Sequence, residues 1–334
     1  MSQNMVSSWY FFMGTQKKTM QDRIRQLMRC FVWSAGLRDA IAHGNTREYM
    51  AFKRHFKRHF VRENQGPFRD TLSVVAICKN EGAYLAEWLV YHRLVGVDRF
   101  YIYDNASTDN TREVLEPFIR EGWVVYTPWP YARQQIQAYN DALPKVRLST
   151  QWLAIIDLDE FIVPVAKKTI PEILDGYRDE VGLSAHWVFY GDNGHATKTS
   201  GLVIERFTAR AAVPEPFVKA IVNPRAAFAL RGHHGCYVGN RSGVNEQGVK
   251  VRSQTDQASM ARIRINHYWG KSWEEYCEKQ AKGRADDAKP LPADDSKFKG
   301  HNRNEVQDPI MAQYIPRIQN ELIRYGRLAQ QENA

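Results

Sequence analysis

The chain has 334 residues, of which 43% are hydrophobic and 25% are charged, and its formal net charge is +9 at pH 7. This length allows one large α/β domain with appendages or two domains, and no apolar run reaches the roughly 20 residues that a membrane-spanning helix needs. The four cysteines form no CxxC pair, which argues against a zinc knuckle or a disulfide framework and favours a reducing, cytosolic setting.

The positive charge is concentrated at the start of the chain. Residues 1–69 contain 13 Lys and Arg against 4 Asp and Glu, whereas residues 70–334 contain 33 of each sign. Apolar spacing predicts basic amphipathic helices over 17–33 and 46–62. We expect this leader either to pack on its own domain or to lie on an anionic membrane surface, at the inner face of the membrane for a cytoplasmic protein. Nucleic-acid binding is not expected, because no recognition motif accompanies the basic residues.

From Thr71 onward, strand and helix patterns alternate. This alternation predicts an α/β fold with a mostly parallel central sheet and helices on both of its faces. The chain then divides into a helical leader, an α/β domain and a C-terminal tail that ends in a closing helix: 1–69, 70–284 and 285–334. Strands are predicted over 72–78, 100–103, 123–126 and 262–268, and helices over 84–94, 111–120, 133–143 and 309–328. The charged, proline-containing start of the tail is expected to wrap around the domain or to be mobile.

The stretch Trp152–Pro164 is predicted to be a buried strand whose end carries an acidic cluster, Asp157, Asp159 and Glu160. An unpaired buried carboxylate costs several kcal/mol, so these acids should face water, a cation or basic partners. Hard oxygen ligands of this kind suit Mg²⁺ or Mn²⁺ that arrives on a phosphate. The alternative is a solvated strand end followed by a turn.

Two other predicted strands also end in polar residues. Asn80 and Glu81 follow the first strand, and Asp104 and Asn105 follow the second. Ligands bind at the carboxyl ends of the strands in sheets of this type, so these residues are candidates for one site. Any one of them could instead be a turn former or a helix cap.

The polar segments occur in an order that resembles a known family. The segments that carry the likeness are Lys79-Asn80-Glu81, Glu87–His92, Tyr103–Asp109, Gln135–Asn140, Asp157–Phe161, Gly201–Phe207, His233-His234-Gly235 and Ile265–Tyr276. Together they resemble the catalytic domain of family 2 glycosyltransferases, most closely the branch related to family 92. The likeness runs from about Thr71 to about Arg284.

The resemblance implies a GT-A fold, an inverting reaction and a nucleotide-sugar donor, usually a UDP-sugar, bound with Mn²⁺ or Mg²⁺. It assigns Asp157 and Asp159 to the DxD motif, with Asp159 on the metal and Asp157 near the ribose or the metal. Asp104 would contact the nucleoside, with Asn80, Glu81 and Asn105 beside it. The chemistry agrees, because a divalent cation held by carboxylates can stabilise a departing diphosphate.

Residues near the end of the α/β domain supply further candidates. By analogy with other GT-A enzymes His267 is a third metal ligand, the alternative being a buried structural histidine. Lys271, together with Lys279 and Arg284, could neutralise the departing diphosphate. Ser272 and Glu275 form a capping box and should start a helix. The pair His233-His234 could be metal ligands, phosphate donors or a surface pair.

An inverting transfer needs a base that accepts the proton of the acceptor hydroxyl. Asp192, in a glycine-flanked loop, and Glu205, in the Gly201–Phe207 segment, are the two candidates, and Asp192 is preferred. The expected acceptor is a glycan or glycolipid in the synthesis of cell-surface polysaccharide or lipopolysaccharide. The competing interpretation is a non-catalytic protein that binds glycans or membrane surfaces on the same scaffold.

Overall fold

The computed structural model describes residues 66–227, 230, 234, 237–238, 241–283 and 290–328. The two helices predicted in the leader, together with His233 and Arg284, lie outside the described residues. Within the described ranges no helix is long and apolar enough to cross a bilayer.

The predicted alternation of strands and helices is confirmed in the first half of the described chain. The elements there are β1 (Asp70–Cys78), α1 (Gly82–Leu94), β2 (Arg99–Asp104), α2 (Thr111–Arg120), β3 (Val124–Pro128), α3 (Gln135–Val146) and β4 (Thr150–Ile155). Each lies within a few residues of its predicted bounds.

The second half contains more elements, most of them shorter than those of the first half. Its elements are β5 (Glu160–Pro164), α4 (Ile170–Leu174), β6 (Gly182–Phe189), α5 (Val203–Arg206), β7 (Ala209–Arg210), β8 (Val218–Val222), β9 (Tyr237–Val238), β10 (Arg241–Val244), β11 (Lys250–Val251), β12 (Ile263–His267), α6 (Trp273–Lys282), α7 (Asp295–His301), β13 (Val306–Gln307) and α8 (Ile315–Arg324). A 3₁₀ turn, Pro309–Tyr314, precedes α8.

The central sheet has the order β11-β10-β6-β8-β4-β1-β2-β3, and β12 joins β6 to β5. Strands β3, β2, β1 and β4 are parallel, as are β12 and β10 to β6, whereas β8 is antiparallel to β4 and β6. The predicted α/β class, with a parallel sheet at its centre, is therefore confirmed. The carboxyl ends of β1, β2 and β4 share one edge, and β8 begins at that edge.

Successive side chains of β1 point to opposite faces of the sheet and contribute to two separate apolar clusters. Leu72, Val74 and Ala76 pack with α1, α2 and α8 in one apolar cluster, while Val75 and Ile77 pack with α3 in another. Successive residues of a strand point to opposite faces, so a fully apolar strand can support helices on both sides. The sheet is thus covered on both faces, and functional side chains are left to its edges.

The prediction of a buried strand that ends in the acidic cluster is confirmed, but the separate strand that follows the acids was not predicted. The structure divides Trp152–Pro164 into β4 and β5, with Asp157 and Asp159 in the turn between them. β5 leaves the direction of β4 because it pairs antiparallel with β12, a strand about 100 residues further along the chain. The acids therefore lie in a sharp connection between two buried strands.

The tail shares the core of the α/β domain. Ile318 and Leu322 of α8 are buried in the cluster on the α1 face, and Phe298 of α7 packs edge-on against Trp273. The closing helix is confirmed, preceded by its 3₁₀ turn. Asp308 pairs with Arg264 at 2.6 Å and with Arg210, which fastens the tail to β12 and β7.

Candidate active site

The loops after β1 and β2 are fastened to each other at the sheet edge. Asn80 adopts a left-handed backbone (φ 54°), accepts the Thr108 N–H at 2.7 Å and donates its own N–H to the Ser107 hydroxyl at 2.9 Å. Asparagine tolerates this conformation better than most residues. The predicted donor-binding residue Asn80 thus builds the loop, and Glu81 beside it pairs with Lys282 of α6.

Asp104 and Asn105 are buried at the end of β2. The carboxylate of Asp104 accepts the Ser107 N–H at 2.9 Å and the Tyr126 hydroxyl at 2.8 Å. Asn105 donates to the Trp129 carbonyl oxygen at 2.8 Å. Both side chains therefore shape the edge where a nucleoside is predicted to lie. A carboxylate has about four lone-pair sites, so Asp104 retains capacity for two more donors.

The first acid of the DxD motif, Asp157, is bound by a buried lysine. Lys219 of β8 donates to Asp157 Oδ2 at 2.6 Å, and Gln135 and Tyr139 of α3 donate to Oδ1 at 3.1 and 3.3 Å. Lys219 Nζ also lies 3.4 Å from Glu160 Oε2. Burial works against the charge of Lys219, but the two carboxylates outweigh it and raise the pKa of the lysine.

The second acid, Asp159, lies between a histidine and a second lysine. Its Oδ2 is 2.5 Å from Lys279 Nζ and 3.6 Å from His267 Nε2. Burial disfavours the charged carboxylate, yet the positive charge of Lys279 holds the pKa of Asp159 well below its usual range. Burial also lowers the pKa of His267, so its imidazole is neutral at pH 7.

The cations come from the end of β12 and from α6. Lys271 is buried, has a left-handed backbone (φ 57°) and lies over the Tyr84 ring at 4.3 Å. The predicted capping box is confirmed: the Ser272 hydroxyl accepts the Glu275 N–H at 3.2 Å, and the helix begins there. This start places Lys279 two turns along α6, where it faces Asp159 rather than solvent.

The two candidate bases occupy different settings. Asp192 follows β6 in a turn where its Oδ1 accepts the Gly194 N–H at 2.9 Å and the Asn304 amide at 3.2 Å. Glu205 is exposed and turns back to the Leu202 N–H at 3.3 Å, capping its own short helix. Asp192 lies three residues beyond Phe189, the residue paired with His267 in the sheet. Asp192 therefore follows a strand that is paired with the strand of His267.

An aromatic wall borders the site on the side of β6 and β8. Trp187 lies 4.7 Å from the His267 ring and 5.7 Å from Phe217, which is 40% exposed. His234, the described member of the histidine pair, packs edge-on against Trp187 at 5.0 Å. Its ring therefore belongs to this wall.

The residues present fit a divalent cation held by two protein ligands. Asp159 Oδ2 and His267 Nε2 are 3.6 Å apart, which is close to the separation of neighbouring ligands around one ion. Among the described residues no group of three or more His, Cys, Asp or Glu side chains is arranged as a metal site. Mg²⁺ and Mn²⁺ commonly take one or two protein ligands and complete their shell with water and phosphate. Asp157 accepts hydrogen bonds from Lys219, Gln135 and Tyr139, and its role as a further ligand stays a prediction.

The sequence did not identify Lys219 as a residue of the site, and it identified Lys279 only as one of three cations that could neutralise the diphosphate. Lys219 interrupts the apolar strand Val218–Val222, and a lysine is almost never fully buried without a partner. A lysine inside an apolar strand was therefore the sequence feature that could have identified Lys219 as a residue of the site. Nothing local identifies its partner, because Asp157 lies 62 residues earlier.

The chain is similar to several known glycosyltransferases, including the following three. A glycosyltransferase family 92 protein of Oryza sativa is 28% identical over 222 residues, covering 63% of this chain and 35% of that one. Galactan beta-1,4-galactosyltransferase GALS2 of Arabidopsis thaliana is 26% identical over 56% of this chain and 37% of its own. Lipopolysaccharide core biosynthesis glycosyltransferase LpsC of Rhizobium meliloti is 32% identical over 115 residues, 33% of this chain and 40% of its own. The chain thus spans well under half the length of these relatives.

Among solved structures, Staphylococcus aureus TarS 1–349 in complex with UDP-GlcNAc is 16% identical, covers 46% of this chain and 45% of its own, and gives a TM-score of 0.32. A TM-score this low does not support any statement about the function of this chain. The family model of glycosyltransferase family 92, however, matches residues 75–297, which include β1, the acidic turn, β12 and α6. The chain that builds this edge of acids and lysines therefore belongs to glycosyltransferase family 92.

Proposed function

We propose that this protein is an inverting, metal-dependent glycosyltransferase that moves a sugar from a UDP-sugar to a hydroxyl group of a glycan or glycolipid. The observation that carries the proposal is the cluster of Asp159, His267 and Lys279 at the strand-end edge of a family 92 chain. A carboxylate, an imidazole and an ammonium group side by side suit a metal-bound diphosphate.

Asp159 and His267 are the residues that would hold Mn²⁺ or Mg²⁺. When bound, the ion would stabilise negative charge on the diphosphate as the bond to the sugar breaks. Lys279 and Lys271 supply fixed positive charge beside the same position, with Lys271 buried and Lys279 reaching Asp159. Charges placed in advance cost no reorganisation during the reaction. Asp104 and Asn80 shape the side of the edge where the nucleoside would lie.

Asp192 is the proposed base. In an inverting transfer one carboxylate accepts the proton of the acceptor hydroxyl while its oxygen attacks the anomeric carbon from the face opposite the leaving group. The hydrogen bonds from Gly194 and Asn304 both go to Asp192 Oδ1 and fix the orientation of the carboxylate. Glu205 is the second candidate, and its own helix already uses its carboxylate.

The acceptor would approach from the side of β6 and β8. The aromatic wall of Trp187 and Phe217 lies there, on the opposite side of β4 from the ends of β1 and β2. Flat aromatic surfaces with a few polar groups are typical of small-molecule sites. The names of the galactan and lipopolysaccharide relatives support an acceptor in cell-surface polysaccharide or lipopolysaccharide synthesis.

A donor-hydrolysis panel tests the proposal. Purified protein is incubated with UDP- and GDP-sugars in Mn²⁺, in Mg²⁺ and in excess EDTA, and release of the nucleotide is measured. We expect hydrolysis of at least one UDP-sugar with Mn²⁺ or Mg²⁺ and its loss in EDTA. Hydrolysis in EDTA at the same rate as with Mn²⁺ or Mg²⁺ would contradict the metal dependence. A preference for GDP-sugars would contradict the assignment of a UDP-sugar donor.

A further inference from the structure

Two buried polar atoms beside the acidic turn face each other without bonding. Within the described chain, Glu160 Oε1 and His267 Nδ1 are among the buried atoms that have no hydrogen-bond partner, and they lie 4.0 Å apart. This distance is too long for a hydrogen bond. Leaving either atom unsatisfied costs about 1–3 kcal/mol, so an opposed pair of such atoms requires an explanation.

The fold holds the two side chains opposite each other. Glu160 of β5 and His267 of β12 are direct partners across an antiparallel pair, where side chains project to the same face at close range. The carbonyl oxygen of Glu160 accepts the Trp88 indole N–H at 2.8 Å, which anchors this end of β5 to α1. Proximity of the two groups is therefore a property of the sheet.

The other oxygen of Glu160 is already in use. Oε2 accepts the Asp157 N–H at 3.0 Å and lies 3.4 Å from Lys219 Nζ. Both neighbours are donors, so this position requires an acceptor atom. Oε1 is left for the imidazole of His267, whose ring is packed between Phe189 at 5.1 Å and Trp187 at 4.7 Å.

The two nitrogen atoms of His267 thus face two different carboxylates, Nε2 towards Asp159 and Nδ1 towards Glu160. A neutral imidazole carries one N–H and one lone pair. With the hydrogen on Nδ1, the lone pair of Nε2 points towards Asp159 and can bind a cation there. With the hydrogen on Nε2, the imidazole donates to Asp159 and offers no ligand.

We propose that ionised Glu160 is a positioning residue whose Oε1 closes the 4.0 Å gap to Nδ1 of His267, accepts the Nδ1–H and thereby presents Nε2 to a divalent cation shared with Asp159. Carboxylates that fix metal-binding histidines in this way commonly contribute 10- to 100-fold to metal affinity. The presence of a cation at this position rests on the proposed function. The tautomer of His267 can be tested without any cation.

Glu160→Gln tests the proposal because it keeps the shape of the side chain and replaces one acceptor oxygen by a donor NH₂ group. The Asp157 N–H and Lys219 need the amide oxygen, so the amide NH₂ would face His267 Nδ1 and force the hydrogen onto Nε2. We expect about 10- to 100-fold weaker binding of Mn²⁺ alone, measured by titration calorimetry without nucleotide. Glu87→Gln is the matched control, since that buried glutamate accepts the Val203 and Ile204 N–H groups on another element.

Nitrogen-15 NMR of metal-free protein reads the tautomer directly, with His267→Asn to assign the signal. We expect the hydrogen on Nδ1 in the wild type and on Nε2 in Glu160→Gln. A wild-type hydrogen on Nε2, or unchanged Mn²⁺ affinity in a folded Glu160→Gln variant, overturns the inference. If the wild type binds no Mn²⁺ at all, the proposed metal site fails, and the wild-type tautomer still decides the role of Glu160.

Discussion

At the scale of single residues, Lys219 shows how the site tolerates three neighbouring acids. Its side chain is 1% exposed and lies against Asp157 and Glu160, so it supplies a positive charge beside Glu160, the carboxylate that is fully buried. Burial raises the pKa of Glu160, and Lys219 opposes that rise. The acidic turn therefore depends on a residue from a strand with no sequence proximity to it.

Lys219→Met should destabilise the protein by about 3–5 kcal/mol at neutral and alkaline pH, because it leaves buried charge uncompensated. Because burial raises the pKa of Glu160, the folded state is more stable when Glu160 is protonated. The loss of stability in Lys219→Met should therefore grow as pH rises and be smaller near pH 5–6. Urea unfolding at two pH values measures this. Lys145→Met, which removes an exposed pair with Asp141, should cost less than about 1 kcal/mol. Equal effects of the two substitutions would refute the role of Lys219.

Lys279 and a divalent cation would compete for Asp159. The ammonium group lies 2.5 Å from Asp159 Oδ2 and 2.9 Å from the Trp269 carbonyl oxygen, so a cation must displace it from the carboxylate. We predict that Lys279→Gln binds Mn²⁺ alone more tightly, by about tenfold, which corresponds to about 1.4 kcal/mol, and turns over the sugar nucleotide more slowly. Lys282→Gln, one turn further along α6, should leave the Mn²⁺ affinity unchanged. Weaker Mn²⁺ binding by Lys279→Gln would contradict this assignment.

At the scale of elements, a buried histidine joins α1 to the strand that follows the acids. The Nδ1–H of His92 donates to the Trp88 carbonyl oxygen at 2.8 Å, and its Nε2 accepts the Ile162 N–H at 3.2 Å. Both ring nitrogens are thus used by a neutral imidazole. Burial lowers the pKa of His92 to about 3, so protonation would break the link between α1 and β5.

This contact predicts an acid dependence of stability. The unfolded chain binds a proton at His92 near pH 6.5 and the folded chain does not, so stability is present above that pH and is lost as pH falls towards 3. The expected slope is about 1.4 kcal/mol per pH unit between pH 6 and 5. His92→Gln should be less stable at pH 7 and should lose this slope, whereas His195→Gln should keep it. The same slope in both variants would disprove the account.

The elements that could be predicted are those specified by local pattern. The alternation through α3 and the Ser272 capping box depend on residues a few positions apart, and the structure agrees with them. The separate strand β5 could not be predicted, because it depends on pairing with β12, which is distant in sequence. The Lys279–Asp159 pair has the same origin, since 120 residues separate its members.

At the scale of the whole molecule, the positive charge lies outside the described α/β domain. Residues 1–69 carry the entire net charge of +9, while the rest of the chain is balanced. Basic segments attract anionic lipid at about 1 kcal/mol per Lys or Arg near the surface. A peripheral association with the membrane is thus our expectation for the full chain.

Vesicle co-sedimentation of the full chain tests that expectation. We predict binding to vesicles that contain an anionic lipid at low salt, little binding to neutral vesicles, and release in about 0.5 M salt as the charges are screened. Replacing Lys53, Arg54, Lys57 and Arg58 by glutamine should weaken the binding and leave donor hydrolysis unchanged. Salt-insensitive binding, or none, would contradict the expectation without affecting the active site.

The central claim is that Asp159 serves a metal-dependent transfer from a UDP-sugar. The most direct measurement compares UDP release from the best donor by the wild type, by Asp159→Asn and by Asp175→Asn, an exposed aspartate paired with Arg178. We predict a loss of at least about 100-fold in Asp159→Asn, of the size seen when one group that stabilises transition-state charge is removed. Asp175→Asn should match the wild type, and excess EDTA should reproduce the loss. A folded Asp159→Asn variant that releases UDP at the wild-type rate would contradict the account.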